Sequence, residues 1–426
     1  MMLAIMSAKY KSPHQFEPLL PGAQAQEPLL AKAHDLARSA TRLAGCPAPA
    51  GLRALLRGMN SYYTNRIEGQ HTRPVEIEQA LRKDFSGNRE LAARQRLAVA
   101  HIEAETAVER QYQGVDGAHR LYSVEAVCGL HRELFARLPA ADFKSPAEKA
   151  PAGKLAGNPA YKPAGQPKLP KPLAPGALRT RDVTVGRHVA PAHASVPDFL
   201  QRWGDVYGGV RRGEAALVAL AAAHQRLGWI HPFADGNGRV MRLHTHAVLA
   251  ALGYTGGLWS PLRGFARSTE RYYALLADAD APRQGDLDGR GNLSEKALTA
   301  WIEYVLDICL DQVTFMGAML DISSMERRIA ACLAFEEHTL KSGVRSAMLR
   351  PLYYLFVTGG ALERGEFKAM TGLGERTAVA ALAALLKRGL LHSDTPQGKV
   401  QFGLPLHALR FYFPALWPEA EMDAST

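Results

Sequence analysis

Residues 214–230, EAALVALAAAHQRLGWI, are almost wholly apolar and alanine-rich, and RVMRLHTHAVLAAL resumes that texture from Arg239. A helix that is apolar on every face has to be buried, so the chain is expected to be organised around two buried helices separated only by HPFADGNG. At 426 residues it is long enough for two or three domains. A central helical domain with appendages is the arrangement to expect.

Elsewhere the pattern is also helical. Residues 1–30, with Pro13, Pro18, Pro21 and Pro28, read as an irregular lead-in; alanine, leucine and charged residues at helical spacing then dominate to about residue 140. Residues 144–175 are rich in Pro, Lys, Ala and Gly and bury too little apolar surface to offset ordering entropy, which predicts a mobile insertion. Beyond it, RDVTVGRHV at 181–189 alternates β-branched and polar residues around Gly186 and predicts a short hairpin. Helices resume at Val196, with further ones over roughly 268–280, 296–320 and 323–342. From about Ser346 the order is a helix, a short helix, a Gly-containing turn at 371–374, a second helix at 375–388 and two strands around Gln397-Gly398, which fits a winged helix. The fold class expected is mainly α.

Composition narrows the partners only a little. The formal net charge of +10 suits acidic partners such as nucleic acid or nucleotide phosphates, yet the basic residues are spread along the chain. Cys46, Cys128, Cys309 and Cys332 lie far apart with no CxxC pair, so neither a zinc site nor a disulfide framework is indicated, and a reducing cytoplasm fits best. MMLAIMSAKYKSP has too few apolar residues for a secretory core, and no later run approaches the ~20 apolar residues of a membrane helix. No membrane partner is expected.

The linker between the two buried helices carries the chemistry. Gly236 and Gly238 allow consecutive N–H groups to converge on an anion at the positive end of the following helix. Arg239 and Arg242 are three apart on its first turn, on one face, where guanidinium groups can grip further phosphate oxygens. Cations at a helix N-terminus oppose the macrodipole, so a bound anion is the expected compensation. Asp235 offers Mg²⁺ a hard oxygen ligand, and His231 is placed to take the proton of an attacking hydroxyl. Pro232 and Phe233 fix and anchor the turn. Alone, a His-Pro pair is more often a helix boundary and Gly-Asn-Gly a plain turn; the joint pattern is what carries the reading.

That pattern, His231-Pro232-Phe233-Ala234-Asp235-Gly236-Asn237-Gly238-Arg239 ending in Arg242, agrees at every defined position with HPFx(D/E)GNGRxxR, and the chain is identified by it as resembling the Fic family. The resemblance implies a helical core with a β-hairpin flap and transfer of AMP from Mg·ATP to a Ser, Thr or Tyr hydroxyl of a protein. By position, His231 would be the base, Asp235 would hold Mg²⁺, and Phe233, Gly236, Asn237 and Gly238 would form the nucleotide loop. Arg242 would grip the γ-phosphate with help from Arg239, and the hairpin at 183–189 would hold the target's backbone by strand addition. Tyr272 and Tyr273 match tyrosines that line the adenine and ribose pocket in relatives, although two aromatics on a helix are more often core. The small polar residue that often follows them is replaced by Asp278 or Asp280, a departure, as is the proline-rich insertion before the hairpin.

The same resemblance gives meaning to TNRIEG, in which Thr64, Glu68 and Gly69 match the family's inhibitory pattern (S/T)xxxE(G/N). Gly69 predicts a helix stop, which leaves Glu68 at a helix C-terminus where its charge is disfavoured by the dipole. In relatives that glutamate pairs with the arginine equivalent to Arg242 and misplaces the ATP. The organisation expected is a lead-in and helix over 1–50, a helical region with the inhibitory motif over 51–140, an insertion over 141–178, the catalytic core over 179–320, a linking helix over 321–345 and the winged-helix-like domain over 346–426. Relatives with this glutamate can also remove AMP, and that direction stays open, as does self-modification. A DNA-binding regulator whose core senses nucleotide is the rival reading. Arg376, Lys387 or Lys399 would then meet DNA phosphates, but the second helix has few donors for base edges, so a structural or dimerising wing stays equally open.

Overall fold

The computed structural model describes residues 10–139, 174–186 and 188–423. Nearly all of the expected insertion lies outside the described residues.

Helices α1 (Ala23–Ala44), α2 (Ala50–Ile67), α3 (Pro74–Leu81), α4 (Arg89–Gln111), α5 (Gly114–Arg120) and α6 (Val124–Phe135) come before a hairpin of β1 (Thr184–Val185) and β2 (His188–Val189). Next are α7 (Val196–Gly209), α8 (Gly213–Ile230), α9 (Asn237–Ala251), α10 (Leu262–Arg267), α11 (Thr269–Asp278), α12 (Glu295–Met319) and α13 (Ile322–Ala334). The chain continues through α14 (Leu349–Thr358), β3 (Ala361–Leu362), α15 (Arg364–Ala369), α16 (Glu375–Lys387), β4 (Leu391–His392), β5 (Val400–Phe402), α17 (Leu409–Tyr412) and α18 (Pro418–Asp423). The fold is mainly α, as the residue pattern predicts.

The irregular lead-in expected over residues 1–30 ends earlier, because α1 begins at Ala23 and runs through Pro28. Leu29, Ala33, Leu36, Ala40 and Leu43 are buried at steps of four and three. Proline inside a helix costs roughly 3 kcal/mol, while each large apolar side chain buried returns about 1.5–3 kcal/mol; the stripe outweighs the proline. The helix expected over 323–342 is also interrupted: α13 stops at Ala334 and a π-helical turn, Phe335–Thr339, follows.

Two compact units form. One comprises the described residues within Met1–Glu27, Glu103–Ala251 and Arg271–Ile302. Here α8 packs between α7 and α9, and α5 and α6 also cover α9. Nearly every residue of α8 from Ala216 to Ile230 is buried, and the polar ones are partnered. The Arg226 guanidinium donates to the Pro18 carbonyl (2.8 and 3.1 Å) and the Ala279 carbonyl (3.0 Å), and Gln225 donates to Asp280 (2.8 Å). Burial lowers Arg226 to about 10 and raises Asp280 to about 7, against the pull of each on the other. Trp203 and Trp301 donate their indole N–H groups to the Ala223 and Ala221 carbonyls of the same helix (2.9 and 2.7 Å).

The other unit comprises the described residues within Pro28–Ile102, Leu252–Glu270 and Glu303–Thr426. In it α2 packs on α10 and α3, and α13 on α14 and α17. A three-stranded antiparallel sheet runs in the order β3-β5-β4, with Leu362 opposite Val400 and Leu391 opposite Phe402. The hairpin of β4 and β5 was expected; β3, a two-residue strand after Gly359-Gly360, had no signal of its own. Glu336, buried in the π-helical turn, takes both arms of Arg388 at the end of α16 (2.6 and 2.8 Å), a bidentate pair that ties the turn to the sheet module.

Candidate functional site

The loop between α8 and α9 is closed by one side chain. Asn237, the first residue of α9, accepts from the Phe233 N–H (2.9 Å) and donates to the Phe233 carbonyl (2.8 Å). Phe233 is fully buried and stacks on His131, ring centroids 4.1 Å apart, so the turn is pinned from inside. His231 ends α8 in the left-handed region, φ 50 and ψ 62, which is strained for a residue with a Cβ. Arg179 holds that conformation by donating from Nε to the His231 carbonyl (2.8 Å). Gly236 adopts φ +80, and a Cβ there would stand 2.4 Å from the Phe135 ring. Only glycine fits, for backbone and space alike.

Asp235 takes the Gly236 N–H on Oδ1 (2.8 Å). Its half-buried carboxylate is the hard oxygen donor of the loop. Arg239, 4% exposed, lies over the Phe135 ring (5.2 Å), and Arg242 is 1% exposed. The loop glycines lead directly into α9, so the N–H groups of residues 236–238, the Asp235 carboxylate and the two guanidinium groups belong to one helix N-terminus.

Below the loop a chain of hydrogen bonds joins three helices. The Thr245 hydroxyl donates to the Met241 carbonyl (3.1 Å), so its oxygen accepts from His224 Nδ1 (2.7 Å), and His224 Nε2 accepts from the Tyr272 hydroxyl (3.0 Å). That needs a neutral imidazole. Burial, then the nearby Arg242 and His244, lower His224 to about 3. Tyr272 has no exposed surface, while Tyr273 is 45% exposed. Asp280 turns inward to Gln225, whereas Asp278 is exposed.

Two positioning residues escaped sequence reasoning. His131, on α6, accepts the Gly176 N–H at Nδ1 (2.8 Å), so its proton sits on Nε2, 3.2 Å from the Asp235 carbonyl; burial lowers it to about 4. Arg179 donates to the carbonyls of His231, Arg181 (3.0 Å) and Pro191 (2.5 Å), and its own N–H donates to the Pro232 carbonyl (2.9 Å). Between its two anchors rises the hairpin, with Thr184 opposite Val189 and Val185 opposite His188. Thr184 and Val185 face solvent, and His188 Nε2 donates to the Trp229 carbonyl (2.8 Å). No motif reports either residue, because each acts on backbone carbonyls remote in sequence.

In the other unit, Thr64 is fully buried in α2, which stops at Ile67 with Glu68 as its exposed cap residue and Gly69 at φ +74. In the first unit, ligand types for a divalent ion meet at Glu105, Glu109 and His246, within 4.8 Å of one another. There His246 Nε2 lies 2.9 Å from Glu109 and 3.6 Å from Glu105, so imidazole and carboxylates already serve one another.

Residues 121–249 match the family model Fic, described as Fic/DOC family. Over 117 residues the chain is 38% identical to a protein named Protein adenylyltransferase Fic from Drosophila willistoni and 37% identical to the one from Drosophila virilis. Each match takes in 27% of this chain and 22% of the relative, so the chain spans about a fifth of the length of the curated relatives it matches. Its fold is similar to that of a Fic family protein from Desulfovibrio desulfuricans G20, with a TM-score of 0.50 and 16% identity, over 91% of this chain and 99% of that one. Among the described residues no helix is long and apolar enough to cross a membrane.

Proposed function

We propose, from the match of residues 121–249 to the Fic/DOC family model, that this chain is a protein adenylyltransferase, moving AMP from ATP to a hydroxyl side chain of a protein, itself included, under restraint by Glu68. The observation that carries the reading is the loop closed by Asn237, which puts His231, Asp235 and the N–H groups opening α9 on one short turn.

His231 takes the proton as the target oxygen attacks the α-phosphorus; the new P–O bond forms as the bond to pyrophosphate breaks, and pyrophosphate leaves. Asp235 fits a divalent ion, since its carboxylate is held by the adjacent Gly236 N–H, and such an ion, when bound, neutralises phosphate charge. The N–H groups of Gly236, Asn237 and Gly238 and the guanidinium groups of Arg239 and Arg242 bind phosphate oxygens. Tyr273, with its exposed ring, is the better placed of the tyrosine pair to meet the nucleoside. Tyr272 supports it through His224. The solvent-facing edge of the hairpin, Thr184 and Val185, accepts the target backbone.

The test incubates wild type, Glu68→Gly and Glu68→Gly with His231→Ala with Mg²⁺ and ATP labelled at the α-phosphate, read by intact mass. A gain of one AMP on the Glu68→Gly chain, absent from the double variant, is the expected result. A gain in mass of one phosphoryl group in place of AMP would replace the reading with a kinase.

A further inference from the structure

Two residues before Glu68, the last turn of α2 is held by the C-terminal segment of its own unit. Glu419, on α18, accepts from the Tyr63 hydroxyl at Oε2 (3.1 Å) and pairs through Oε1 with Arg66. Trp417, 2% exposed, meets the Tyr62 ring edge-on with centroids 5.7 Å apart. It also fills the space over Gly58, where an added Cβ would lie 3.8 Å from the indole. The segment is itself anchored, because Arg263 donates to the carbonyls of Ala415 (2.6 Å) and Leu416 (3.1 Å).

One carboxylate therefore serves both side chains of the turn that ends in the cap residue. Tyr63 is 1% exposed, so losing Glu419 removes the acceptor of a buried hydroxyl, which Arg263 also reaches, as well as an ion pair, and the turn is free to find another arrangement. The rest of α2 is also fastened through α10 and α3. The contact at Glu419 thus governs the orientation of the helix end more than its existence.

We propose that Glu419 is a positioning residue for Glu68: the C-terminal segment latches the inhibitory helix end, and anything that lifts residues 415–420 from α2 raises transferase activity. This rests on the reading of Glu68 as the brake. A partner that displaces the segment would need a carboxylate-rich surface of its own to take Arg66, which marks an acidic peptide or protein face as the releasing ligand class.

The experiment measures α-labelled AMP incorporation by wild type, Glu419→Gln, Glu419→Ala and Glu68→Gly, and by each Glu419 variant combined with Glu68→Gly, with a thermal melt of every chain. Glu419→Gln keeps the shape and an acceptor for Tyr63 and removes only the charge. For a partly exposed pair, incorporation should rise roughly two- to fivefold in Glu419→Gln and further in Glu419→Ala, with no additional rise in the Glu68→Gly background. Rates equal to wild type in both Glu419 variants, while Glu68→Gly is active, would overturn the latch and leave the brake standing. An additional rise in the Glu68→Gly background would do the same. An inert Glu68→Gly chain would remove the brake and the latch together.

Discussion

Both units contain two helices joined by a tight turn with a glycine, and the two turns are held very differently. Between α15 and α16, residues 371–374 are held by local contacts: Thr371 donates to the Lys368 carbonyl (2.6 Å) and accepts from the Leu373 N–H (3.1 Å), and Lys368 pairs with Glu375 across the turn. Between α8 and α9, the turn takes a strained His231 and a left-handed Gly236, with buried Asn237, His131 and Arg179 all spent on its backbone. A turn that only reverses the chain is held by side chains of its own sequence neighbourhood. A turn that gathers an imidazole, a carboxylate and backbone N–H groups is over-determined from outside its own sequence, because strain persists only where the surroundings insist on it.

The strongest way to break this contrast is Gly236→Ala. The φ penalty and the clash with Phe135 should together destabilise the chain by about 2–4 kcal/mol, read as a lowered urea midpoint. Incorporation in the Glu68→Gly background should fall roughly a hundredfold, the scale of a ~1 Å misplacement at a reacting centre. A variant with unchanged incorporation would show that the loop tolerates what the geometry forbids.

Acid gives an intermediate effect. His131, His224 and His244 are each buried neutral, with burial lowering them to about 4, 3 and 4 from 6.5. Folded values below unfolded ones mean that the unfolded chain binds protons first. The stability these groups contribute is full above pH 6.5 and is lost as pH falls through 6.5 toward about 4 and below. Urea midpoints followed by tryptophan fluorescence should decline across that window, and His131→Asn should make the decline shallower. A flat profile would mean that these imidazoles are charged or solvated in the fold. The smallest effect belongs to the other turn. Thr371→Ala should cost about 0.5–1 kcal/mol and leave incorporation unchanged, and a loss of incorporation there would erase the distinction between the two turns.

The same contrast governs what could be read from residues alone. The two buried helices and the motif between them were legible because contiguous residues carry them. The hairpin at 184–189 and the helix order after Ser346 were legible from alternation and turn residues. His131 and Arg179 were not, since their partners are carbonyls set by folding, and a lone histidine or arginine in a helical stretch has no periodic signal. The start of α1 was misjudged because Pro28 speaks for local preference while Leu29 to Leu43 speak for burial, and packing won. Tyr272 and Tyr273 are adjacent and chemically alike, yet one is enclosed and the other exposed; no local pattern separates them.

Arg179 has a further consequence for how such a site can change. One guanidinium fastens the feet of the hairpin, through Arg181 and Pro191, and the residue that ends α8, through the His231 carbonyl. The seat of the hairpin and the backbone of His231 are therefore mechanically geared. A change that loosens one foot of the hairpin therefore also shifts the backbone of His231, whereas the side chains of Thr184 and Val185, which face solvent, can be exchanged without disturbing that guanidinium.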